Sequence, residues 1–175
     1  YKKALKNYKK ALKLCEEIGN KNGIAANLNN IGGVYKVKEN YPEALEYFFK
    51  ALKLNEELGN QNDIALVLHN IGEIYTAQKK YKEAEDYLLE AVKISTEIGS
   101  LYLIQFNHKA LSELYSQTNQ YQLAYEHYKQ YTVAKDSLFN EDKSKEIGRL
   151  EMQHEIEIAE MEMEKSGKKK FGIFI

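Results

Sequence analysis

Residues 41–60, YPEALEYFFKALKLNEELGN, recur as YKEAEDYLLEAVKISTEIGS at 81–100. The same register takes in YKKALKNYKKALKLCEEIGN at 1–20 and YQLAYEHYKQYTVAKDSLFN at 121–140. The four blocks begin at Tyr1, Tyr41, Tyr81 and Tyr121, so they align without a gap at a period of 40 residues. A period of that size marks a repeat architecture, in which one supersecondary unit buries its apolar face only against its neighbours.

The intervening blocks, KNGIAANLNNIGGVYKVKEN, QNDIALVLHNIGEIYTAQKK and LYLIQFNHKALSELYSQTNQ, align equally well. Leu28, Ile31 and Tyr35 form an apolar stripe at helical spacing, as do Leu68, Ile71 and Tyr75. Each unit is therefore two helices. Gly19, Gly59 and Gly99 follow the last apolar residue of a helix, where a left-handed cap needs a residue without a side chain. Loops this short force the paired helices to run antiparallel.

These residues resemble the tetratricopeptide repeat family. Its pattern of a large apolar residue, Leu-Gly and Tyr in the first helix, then Ala, an aromatic and Ala in the second, is filled by Leu28, Ile31, Gly32, Tyr35, Ala44, Phe48 and Ala51. Leu68, Ile71, Gly72, Tyr75, Ala84, Leu88 and Ala91 fill it again, and Ala4, Tyr8 and Ala11 supply the second half of an earlier unit. The third full unit departs from it, with His108 for the large apolar residue, Ser112 for Gly and Tyr131 for the second Ala, so the regular stack is expected to end there. The 40-residue period resembles a long-helix subfamily that includes kinesin light chains and bacterial signalling proteins. The resemblance implies an all-α, right-handed superhelical solenoid of antiparallel helix pairs with a long C-terminal helix. The expected divisions are a repeat array over 1–140, a charged capping or coiled-coil helix over 141–166, and a basic and apolar tail over 167–175.

Composition narrows the function. The 25 basic and 26 acidic residues leave a net charge of -1, so no overall positive field exists to hold a nucleic acid backbone. Cys15 is the one cysteine, which excludes an intrachain disulfide and a cysteine-based zinc site and leaves the compartment open, cytoplasmic or periplasmic. His69, His108, His127 and His154 have no partner three or four residues away, as a helical metal-ligand pair requires, so no metal is expected. No phosphate-binding glycine loop and no nucleophile elbow occurs. No cofactor and no catalytic residue is expected, and the chain reads as a non-catalytic module. The 14 tyrosines fall mainly at core positions of the repeat and read as packing residues. Cys15 reads as a small core residue.

In such arrays the first helices line a concave groove. By that resemblance the groove presents Ala26, Asn29, Gly33 and Lys36, then Leu66, His69, Glu73 and Thr76, then Phe106, Lys109, Glu113 and Ser116. Asn30 and Asn70 repeat at one register. They either hold the backbone of a bound peptide or hydrogen-bond between helices.

After Asn140 the repeat pattern fails, and EDKSKEIGRLEMQHEIEIAEMEMEKS reads as one long charged helix. Met152, Ile156, Ala159 and Met163 recur at the spacing of a short coiled-coil seam for self-association, while Ile147, Leu150, Ile158 and Met161 offer a competing seam. The helix either pairs with a second copy or caps the last repeat. Glu141 precedes Lys145 by four residues and Glu146 precedes Arg149 by three, spacings that support helix. Lys168, Lys169 and Lys170 then precede FGIFI, which reads either as the first residues of a membrane span or as a remnant.

The opening inside a helical pattern at Tyr1 reads as an excised fragment. The order of repeats, charged helix and apolar start resembles sensor proteins of Bacteroidetes-type bacteria. The expected function is binding of a protein or peptide segment in the groove, as the sensory part of a larger signalling protein. The alternatives are a homodimerisation or assembly scaffold, and an enzyme whose residues leave no motif.

Overall fold

The structure, a computed structural model, describes residues 1–165. Within them the chain forms α1 (Lys2–Glu17), α2 (Lys21–Val37), α3 (Tyr41–Leu58), α4 (Gln61–Ala77), α5 (Tyr81–Glu97), α6 (Leu101–Gln117) and α7 (Tyr121–Lys165). No strand occurs among the described residues. The chain divides into two compact units, Tyr1–Lys135 and Asp136–Ile175. Lys168, Lys169, Lys170 and the FGIFI stretch lie outside the described residues.

In the first unit every helix pair is joined by the same turn. Asn20, Asn40, Asn60, Lys80, Ser100 and Gln120 each donate a backbone N–H to the carbonyl five residues earlier, at 2.8–3.0 Å. This closes the helix end in a left-handed residue. Gly19, Gly59 and Gly99 take that conformation with φ of 67°, 71° and 66°, as their position in the sequence predicts. At the ends of α2, α4 and α6 it falls instead on Glu39, Lys79 and Asn119, at φ 57°, 59° and 60°.

The core follows from the small residues. Gly32 lets Phe48 pack so closely that a Cβ there would lie 2.8 Å from the ring, and a Cβ on Gly72 would lie 2.6 Å from Leu88. Phe48 and Leu88 are fully buried, each contributing roughly 1.5–3 kcal/mol by burial. Ala44, Phe48 and Ala51 of α3 share one cluster with Val67, Ile71 and Ile74 of α4. Ala91 and Ile94 of α5 share another with Ile64, Ala65 and Leu68 of α4 and Leu103 of α6. These clusters join each helix pair to the next, which makes the unit an all-α helical repeat solenoid.

The tyrosines pack in register. Tyr35 stacks on Tyr47 with ring centroids 5.6 Å apart, and Tyr75 on Tyr87 at 5.5 Å. One period later Tyr115 stacks on His127 at 5.4 Å. Tyr121, Tyr125 and Tyr128 are exposed, a departure from the packing role expected of the tyrosines in the last repeat.

In the second unit the helical residues carry the two expected local pairs, Lys145 to Glu141 at 2.6 Å and Arg149 to Glu146 at 2.8 Å. Met152, Ile156, Ala159 and Met163 are exposed, and so are Ile147, Leu150, Ile158 and Met161. No helix among the described residues is long and apolar enough to cross a membrane.

Candidate interaction face

The backbones of α2, α4 and α6 approach one another in succession, whereas those of α1, α3 and α5 come near only these first helices, α3 and α5 meeting through the rings of Phe49 and Tyr87 at 6.2 Å. The set that stays in mutual contact forms the inner side of the array. Residues between the core stripes of these helices face away from the second helices, and most of the expected groove residues are accessible. Ala26, Asn30, Glu73, Phe106, Lys109, Glu113 and Ser116 are exposed, while Asn29, Gly33, Lys36, Leu66, Asn70 and Thr76 are half-buried. His69 is a correction. Expected on the open face, it is only 7% exposed, because its ring is drawn into a polar chain beneath that face.

The chain can be traced proton by proton. Ser95 Oγ donates to the carbonyl of Val92 at 2.9 Å, so it accepts from Asn107 Nδ2 at 3.3 Å. Asn107 Oδ1 therefore accepts, and the proton it takes sits on His69 Nδ1, 2.9 Å away. His69 Nε2 then faces Glu73 Oε2 at 3.6 Å. Lys36 of α2 closes the chain, donating to Glu73 Oε2 at 2.6 Å and to Asn70 Oδ1 at 2.5 Å. Partial desolvation of the Glu73 carboxylate works against its charge, but the contact with His69 Nε2 and the charge of that ring when both its nitrogens carry protons, joined by Lys36, outweigh it and hold the carboxyl at about 2.

This geometry assigns several polar groups to the fold. Asn70 also donates to the carbonyl of Leu66 at 3.1 Å, so its amide is engaged in interhelix and intrahelix bonding. Thr76 donates to the carbonyl of Gly72 at 2.9 Å. Asn30, at the same register as Asn70, is exposed. Farther along the face Phe106 and Tyr102 pack at 4.5 Å between centroids while 39% and 57% exposed. Lys109 lies 3.7 Å from Glu113 beside them.

A second polar register runs beneath the same face. Cys15, Asn55 and Ser95 occupy one position of the repeat, and Asn27, Val67 and Asn107 the position that meets it. Asn27 Nδ2 contacts Cys15 Sγ at 3.8 Å in the first pair, and Asn107 contacts Ser95 in the last. Half-buried Cys15 is thus a polar contact of α2 as well as a packing residue. In the middle pair Val67 has no polar group to offer. Asn55 Oδ1 and Asn29 Oδ1 are both buried without a hydrogen-bond partner. A pocket of about 80 Å³ lies among Ala26, Asn29, Asn30, Asn55, Asp63 and Val67. A shallower cleft of about 320 Å³ adjoins it, lined by Tyr8, Asn29, Asn30, Gly33, Lys36 and Asn70 among others.

Sequence spacing missed one pair altogether. His108 Nδ1 and His127 Nδ1 lie 2.8 Å apart, which requires a proton on one nitrogen and a lone pair on the other. Burial, and next the facing His127, lower the His108 value to about 4, and burial lowers that of His127 against the pull of Glu126. The repeat itself held the signal, since residue 127 stands one and two periods after Tyr87 and Tyr47. Burial and its bond to Glu85 Oε1 at 2.7 Å raise the Tyr115 hydroxyl well above the usual range. No group of three potential metal ligands assembles among the described residues.

Comparison with known proteins agrees with the architecture. The tetratricopeptide repeat pattern matches three overlapping stretches, residues 1–57, 23–97 and 63–132. No curated protein matches the chain. Among solved structures, the crystal structure of BtubC (BKLC) from P. vanneervenii is similar, with a TM-score of 0.69 and 21% sequence identity over 78% of this chain. The match spans 57% of that chain's length. At this identity the likeness concerns the fold alone.

Proposed function

The chain belongs to the tetratricopeptide repeat family, and from that premise we propose that its inner face, built on α2, α4 and α6, binds an extended segment of a partner protein without catalysis. Repeats of this family generally mediate protein–protein interaction. The observation that carries the reading is the exposed Tyr102 and Phe106 pair, set beside Lys109 and Glu113 on the inner side of the array. Exposed aromatics with few rotatable bonds anchor partners at modest entropic cost, and the charged neighbours around them set orientation. Asn29, Asn30, Lys36, Leu66, Asn70, Glu73, Thr76 and Ser116 complete the binding face in this reading. His69 supports it from beneath.

Peptides selected by display on the whole chain test the proposal. Phe106→Ala should weaken a selected peptide at least tenfold by calorimetry while the far-ultraviolet circular dichroism stays unchanged. Equal affinity in Phe106→Ala and in Asn30→Ala would move binding off this face.

Self-association is the second reading, favoured by the exposed Met152 and Ile156 in one seam of the second unit. It would make the charged helix a relay from the binding face to a further domain of a signalling protein, as the order of segments in the sequence implies. Sedimentation of the parent chain at high micromolar concentration separates the two, since an obligate dimer gives no monomer boundary.

A further inference from the structure

The pocket beside the inner face is lined by three asparagine amides and one carboxylate. Asn55 is 1% exposed, its Oδ1 is unpartnered, and the half-buried Asn29 contributes a second unpartnered Oδ1. Asp63, in the first turn of α4, adds a carboxylate to the same lining. No basic side chain lines it, and Lys36, which lines the adjoining cleft, is engaged with Asn70 and Glu73. Buried polar atoms are seldom left without partners, so an arrangement of this kind calls for a donor. The other two units supply one from within, through Asn27 and Asn107, and the middle unit has Val67 in that place.

We infer that this pocket is a subsite for a protonated primary amine, the end of a lysine side chain carried by the segment bound on the inner face. The inference rests on the binding reading above. An alkylammonium carries three N–H donors and no acceptor, which matches two amide oxygens and one carboxylate. Its charge sits on a compact head, so it fits a space of about 80 Å³ better than a planar guanidinium does. The pocket is also far below the several hundred cubic ångströms of a drug-sized site, so it suits one side-chain end and not a whole small molecule. Ala26 and Asn30 stand at its rim on the inner face, so a segment lying along α2 passes over it. Rotation of the two amides presents their oxygens to the entering ammonium.

The test uses the whole 15N-labelled chain and n-butylammonium chloride as probe, with n-butanol as the neutral isostere and sodium chloride as the ionic-strength control. Saturable shifts of the Asn29 and Asn55 side-chain amides are expected with butylammonium alone. Asp63→Asn should weaken them at least tenfold. Val67→Asn, which places the missing donor inside the pocket, should abolish them with the thermal midpoint unchanged or raised. Equal shifts with butanol, no saturable shift, or full binding in Asp63→Asn would overturn the subsite and leave the pocket to water. Replacing lysine by norleucine in a peptide selected on the face should weaken it at least tenfold. An unchanged affinity there overturns the lysine subsite while the binding face stands. Butylammonium shifts without any face-binding peptide support the amine pocket and remove the binding reading.

Discussion

The His69 ring and the Asn107 amide meet at 2.9 Å between Nδ1 and Oδ1, although 38 residues of chain separate them. Both are buried, and Asn107 in turn reaches Ser95, so one amide ties α4, α5 and α6 together. Asn107→Val reproduces what Val67 does one period earlier. It strands the His69 N–H, at a cost of about 1–3 kcal/mol for a buried group left unpaired, and removes the donor to Ser95 Oγ, which keeps its bond to the Val92 carbonyl. The urea midpoint should fall accordingly with an unchanged slope. A midpoint within about 0.5 kcal/mol of the parent would show that the bridge contributes little, since ordinary surface changes do as much.

Two glycines on inner helices should respond in opposite directions. Gly72→Ala drives a methyl to within 2.6 Å of the buried Leu88, and overpacking of this kind costs roughly 1–3 kcal/mol. Gly33→Ala meets nothing within 4 Å and should stabilise α2 by about 0.5–1 kcal/mol through helix propensity. Denaturant titration of the two variants beside the parent checks both signs.

Acid should loosen the end of the repeat array before carboxylates begin to protonate. The folded His108 value lies near 4, below the ordinary 6.5, so the unfolded chain binds more protons between these values and stability rises with pH across that window. The contribution is complete above about pH 6.5 and is lost as pH falls toward 4, at no more than about 1.4 kcal/mol per pH unit for one proton. Thermal midpoints between pH 7.5 and 5 should therefore drop in the parent. A double variant, His108→Leu with His127→Tyr, should give a flatter profile, and an identical profile would clear the pair of any part in the acid response.

The second unit offers a sharper choice. If Met152 and Ile156 form a seam between two copies, Met152→Asp with Ile156→Asp should turn a dimer into a monomer by sedimentation, with little change in the melting of the repeats. If parent and variant are both monomeric, the seam has no partner in a second copy.

Much of this molecule was legible because its information is repeated. Gly19, Gly59 and Gly99 marked their turns, since only a left-handed cap explains a glycine at that recurring place, and Gly32 and Gly72 marked the close crossings against Phe48 and Leu88. The turns at Glu39, Lys79 and Asn119 carried no such mark, because the backbone hydrogen bonds of the turn hold these exposed residues in the left-handed region without glycine. The interaction face was legible by position and not by chemistry. Counting along α4 put His69 on the open side, yet its burial depends on Asn107, a polar residue whose partner 38 positions away no helical periodicity reveals. The His108 and His127 contact escaped for the same reason, since a search at three or four residues sees one helix and this pair spans two.

The stacking of neighbour on neighbour also fixes the order in which the array comes apart. Contacts in a linear array reach no farther than adjacent units, so damage at one junction is not shared by the rest, and unfolding begins at the weakest joint. The joint whose polar register is left unsatisfied is where α2 and α3 meet α4, the place where Val67 leaves Asn29 and Asn55 without partners. Amide hydrogens of α1–α3 should accordingly exchange ahead of those of α4 and α5, the array fraying from its N-terminal side and stopping at Gln61 before it goes farther.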